Sequence, residues 1–124
     1  MMVPILKDED QQQPVASIWR LTLKAIVDAI ASGNVALEGI PSVPAITPTT
    51  TQQIVDYLAS YGETLAELPN ETWTSSVSQW MGHCWVVLVD LWTVESERSD
   101  MVLSVRVFED NDGFRFDVGG VYVP

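Results

Sequence analysis

His83 and Cys84 set an imidazole next to a thiol, the two groups a nucleophilic dyad requires. In a strand, however, neighbouring side chains point to opposite faces, so the ring cannot reach the sulfur. The chain holds one histidine and one cysteine, which leaves a His-based metal cluster without ligands and makes Cys84 a structural residue in expectation. EDNDG invites a calcium-loop reading, yet that pattern needs an acid where Phe108 stands and a closing glutamate where Gly119 stands. Asn, Asp and Gly are what a tight hairpin turn asks for. No cofactor signature is present, and with seventeen acidic residues spacing alone cannot nominate an acid/base pair.

The stretch VDLWTVESERSDMVLSVRV carries the remaining candidates: Asp90, Glu95, Glu97, Arg98, Asp100 and Arg106 lie between and within two apolar runs. A hairpin with a charged turn explains the pattern. If DNDG closes the following hairpin, Glu109 lies opposite Phe114 and Arg106 opposite Asp117, an opposite-charge cross-strand pair. Burying Asp90 unpaired among Leu88 and Trp92 would cost several kcal/mol. The favoured register therefore puts Asp90 beside Arg106, in a charged row Asp90, Arg106, Asp117 across three strands. That register needs a five-residue or bulged first turn, because a one-residue slip reverses every side chain.

These side chains need elements to hold them. Residues 1–13, with KDED and QQQ, read as a mobile lead-in on which Val3, Ile5 and Leu6 dock locally, and residues 14–124 as one domain. Pro14 suits a helix start, Ile18, Trp19, Leu23, Ile26, Val27 and Ile30 recur at helical spacing, and Gly33-Asn34 ends the run. IPSVPAITP runs extended over the surface. A second helix opens with a capping box, Thr50 and Gln53, and closes at Gly62. Trp73, Val77, Trp80 and Met81 fit a further short helix. From His83 on, β-branched and aromatic runs punctuated by ESERSD and DNDG predict an antiparallel meander. The expected fold is α+β, with N-terminal helices on one face of a C-terminal sheet.

Formal net charge is −11, which repels nucleic acid and anionic lipid and attracts a basic protein partner. Apolar runs fall far short of the ~20 residues of a membrane span, and acids directly after Lys7 argue against a signal peptide. A single cysteine suits a reducing compartment, so the expected location is the cytoplasm.

VVLVDLWTVESERSD, MVLSVRV and the upstream YGETLAELPNETW resemble an uncharacterised bacterial family of small acidic α+β domains over about Tyr61 to Val123. Ser96 stands where such turns often carry glycine. Members of this type resemble immunity proteins of bacterial toxin systems. The resemblance implies a non-enzymatic binding protein that neutralises a basic toxin domain, with Asp90, Trp92, Glu95, Glu97, Asp100, Arg106 and Asp117 as partner-binding residues. The alternative is an NTF2-like small-molecule domain, its pocket lined by Trp80, Trp85 and Trp92 and Asp90 serving as a base. A third is a nucleic-acid mimic whose carboxylates stand in for phosphates.

Overall fold

The computed structural model describes residues 2–124. Five antiparallel strands follow one another across the sheet in chain order: β1 (Gln13–Pro14), β2 (Val77–Trp80), β3 (Trp85–Thr93), β4 (Glu97–Asp110) and β5 (Gly113–Tyr122). Alternation fixes their faces. Along β3, Trp85, Val87, Val89, Leu91 and Thr93 are buried, whereas Val86, Leu88, Asp90 and Trp92 are half-covered. Two helices, α1 (Arg20–Ala31) and α2 (Pro48–Tyr61), send Leu23, Ile26, Val27, Ile30 and Ile54 into the same core as the odd-numbered β3 residues. Both helices therefore lie on one face of the sheet, as the order of elements in the sequence predicts, and the other face carries none.

Several boundaries differ from the sequence expectation, each for a local reason. Pro14 pairs with Val77 in β1 instead of opening a helix, since a residue without an N–H is tolerated in an edge strand. A 3-10 turn, Ser17–Trp19, precedes α1 and rotates Ile18 off the helical face, leaving it 63% exposed while Trp19 is buried. The cap of α2 is Thr47, whose Oγ1 accepts the Thr50 N–H at 3.2 Å, because Pro48 takes the first helical position. Gly62, in the left-handed region at φ +81°, ends α2 as expected.

The short helix expected around residues 73–81 is a 3-10 turn, Asn70–Thr74, followed by β2. Threonine and serine there use their hydroxyls on β3 rather than tolerating a helix, as shown below. Residues 3–10, read as part of a mobile lead-in, lie against the domain: the Trp85 indole donates to Leu6 O at 2.9 Å, Gln79 donates to Glu9 O at 2.8 Å, and Lys7 meets Glu109 at 2.8 Å. No helix among the described residues is long and apolar enough to cross a membrane.

Candidate functional site

The β4–β5 register places Glu109 opposite Phe114 and Arg106 opposite Asp117, as hairpin counting predicts. Asp110 pairs with Gly113, so the turn itself is Asn111-Asp112. Arg106 and Asp117 do not pair chemically, however. Asp117 accepts from Arg115 Nε at 3.1 Å, two residues along its own strand, and that guanidinium lies over Phe108. Arg106 is exposed and forms no ion pair among the described residues.

Asp90 shares the helix-free face with Arg106 but not its row. It stands opposite Val102, while Val86 is the residue opposite Arg106, about 13 Å further along the sheet. The three-strand charged row is thus absent. Its cause is the tight turn that pairs Thr93 with Glu97; the bulge beyond it, where residues 99–101 oppose Leu91 alone and the Ser99 hydroxyl bonds Leu91 O at 2.8 Å, brings Asp90 only as far as Val102.

What holds Asp90 is the segment 72–76. Thr72 Oγ1 donates to Asp90 O at 2.7 Å, Asp90 N donates to Ser76 Oγ at 2.9 Å, and the Ser75 hydroxyl donates to the carboxylate. Because Thr72 has given its proton to Asp90 O, Ser76 must be the donor in the 3.2 Å contact between the two hydroxyls. Both are buried, and this closed circuit leaves neither hydroxyl unpartnered. Asp90 thus fastens the 72–76 segment to the sheet.

Glu95, Glu97 and Asp100 gather at the β3–β4 hairpin, which is clamped by the residues after α2. Glu95 accepts from Thr64 N at 2.7 Å and from the Thr64 hydroxyl at 2.9 Å, and these bonds hold its carboxyl below the ordinary glutamate range. Glu63 answers from the other side, accepting from Thr93 and Ser96 hydroxyls at 2.6 and 2.8 Å. Tyr61 Oη accepts the Asp100 N–H. The positive φ of this turn, +61°, falls on Glu97 and not on Ser96.

Trp80 and Trp85 pack on the core side, 4.6 Å between centroids, with Trp19 and Phe114 joining them, whereas Trp92 projects from the opposite face. The three tryptophans line no common pocket. His83 is exposed in the β2–β3 turn and Cys84 is buried. No group of three or more His, Cys, Asp or Glu among the described residues could hold a metal.

Sequence reasoning missed two features. One is a second acidic end: the Lys7–Glu109 pair brings Asp8, Glu9 and Asp10 to the hairpin that carries Asp110 and Asp112. The other is a cleft of about 570 Å³ between the lead-in, β1 and the 70–74 turn, containing Arg20 and Trp73.

A family model described as a domain of unknown function, DUF7668, matches residues 27–124. The chain belongs to this family. The DUF7668 match takes in the whole sheet from β2 onward, α2, the clamp of the β3–β4 hairpin and all seven candidate residues, and it leaves Arg20 and the lead-in outside. Comparison with curated proteins and with solved structures gave no match.

Proposed function

We propose that this chain is a non-enzymatic binding protein for a basic protein partner, in the specific form of an immunity protein that neutralises a bacterial toxin domain by covering its active site. The observation that carries the reading is the helix-free face of the sheet. Val86, Leu88 and Trp92, each half-covered, share it with the exposed Arg106, and carboxylates stand at its two hairpin ends, Asp100 at one and Asp110 and Asp112 at the other. An apolar centre with a polar rim is the anatomy of a protein interface. The hairpin clamp supports the same reading, because acids on a pre-ordered turn bind without the entropy cost of ordering it.

Capture from a lysate of the source organism tests it, comparing the native chain with Leu88→Arg and with the double variant Glu97→Lys/Asp100→Lys. Glu95 is left unchanged because it ties the hairpin to Thr64. The native chain is expected to retain a basic protein and Leu88→Arg to lose it. The double variant should still bind, with association slowed about 10-fold at low salt and its salt dependence flattened. No basic protein captured, or equal capture by Leu88→Arg, would overturn the reading.

A further inference from the structure

We propose that the cleft beside β1 binds a small carboxylate-bearing molecule through Arg20, independently of the sheet face. Arg20 opens α1, and its Nε and Nη2 both bond Val15 O, at 3.1 and 2.9 Å, which fixes the plane of the guanidinium. The indole of Trp73 lies against it, 5.4 Å from ring centroid to Cζ. Two neighbours thus hold the side chain while its remaining N–H groups stay available. A guanidinium fixed in this way presents a planar fork that matches a carboxylate.

The charge of this arginine is uncompensated. Lys7, Lys24 and Arg115 each have a carboxylate partner; Arg20 has none among the described residues, and unlike the exposed Arg98 and Arg106, which also have none, it is half-buried. No aspartate or glutamate lines the cleft either, in a chain with seventeen of them. The walls instead carry the side-chain amides of Gln12, Gln13 and Asn70, none of which is bonded within the chain among the described residues, and the hydroxyl of Thr74. The volume, about 570 Å³, suits a small organic ligand. Uncommitted amides around a fixed arginine read a carboxylate that bears a second hydrogen-bonding group.

The test titrates the full chain with succinate at constant ionic strength, following the Arg20 Nε–H and Trp73 Nε1–H resonances by NMR. Succinamide, uncharged and of the same shape, and inorganic phosphate are the comparison probes. Succinate should give saturable shifts at both resonances with a millimolar or tighter Kd, and succinamide none. Arg20→Lys, which keeps the charge and loses the fork, should weaken succinate at least about 10-fold. Since that change could disturb α1, Gln12→Ala on the exposed rim provides the second variant, with an expected loss of about threefold and an unchanged fold. No saturable response to succinate, equal response to succinamide, binding of phosphate alone, or affinity unaltered in both variants would each overturn the proposal.

Discussion

Glu95 commits both carboxylate oxygens to Thr64, and the consequence can be read as a pH dependence. Its folded pKa is depressed, first by the Thr64 N–H and then by the Thr64 hydroxyl. A depressed carboxyl stabilises the folded form above its ordinary value, and the stabilisation is lost as pH falls through the folded pKa. The tie should thus be intact at neutral pH and open in acid, below the usual glutamate range. Hydrogen-exchange protection at the Thr64 amide, corrected for intrinsic rate, should decline between about pH 5 and about pH 3. In Glu95→Gln that decline should vanish; an equal decline in both chains would show that Glu95 is not its source. Asp90 teaches the complementary lesson at this scale. An acid interrupting an apolar strand signals that it needs a partner, but the one hydroxyl that meets its carboxylate, Ser75, and the two that bond its backbone, Thr72 and Ser76, come from TWTSS, where nothing in the residue types marks them as its partners.

At the scale of elements, the β3–β4 turn is strained where the sequence does not show it. Thr93 pairs with Glu97, and Glu97 sits at φ +61°, a conformation that costs a side-chain-bearing residue about 1 kcal/mol. Glu97→Gly should be stabilising by up to about 1 kcal/mol, the relieved strain being partly offset by glycine's greater unfolded freedom. Urea denaturation measures it, and a clear loss of stability would place the strain elsewhere. The meander and the end of α2 were legible because alternation and Gly62 are local signals. Register across the second hairpin was legible too, since Asn111 and Asp112 define its turn. Across the first it was not: within ESERSD nothing marks that the turn closes as early as Thr93 and Glu97, and the bulge at 99–101, where the Ser99 hydroxyl bonds Leu91 O, adds a further shift that counting from the turn misses. Ile18 and the 73–81 segment were misread because apolar spacing of 3 to 4 residues arises equally from a 3-10 turn or from a turn followed by a strand.

Across the whole molecule, the charge pattern depends on a contact between residues 102 positions apart, Lys7 and Glu109, which no local motif could reveal. Distance along the sequence hides the cleft as well, since its arginine and tryptophan, Arg20 and Trp73, belong to separate elements. A last consequence follows from how the sheet ends. On the β5 side, the Gln53 amide from α2 imitates a neighbouring strand, donating to Val121 O at 2.6 Å and accepting from Val121 N at 3.2 Å, while Ser42 O takes the Phe116 N–H at 2.9 Å. It fits there because Gly120 has no Cβ, which would otherwise lie 2.6 Å from the amide oxygen. The opposite border, β1, is two residues long and ends in a proline that cannot donate. A sheet with an apolar open face would otherwise recruit copies of itself edge to edge. Gln53→Leu should therefore leave the secondary structure in place and give light scattering that exceeds the parent's and grows with concentration and time; a variant that stays as clear as the parent would mean that repulsion from the net charge of −11, and not the blocked edge, keeps the molecules apart.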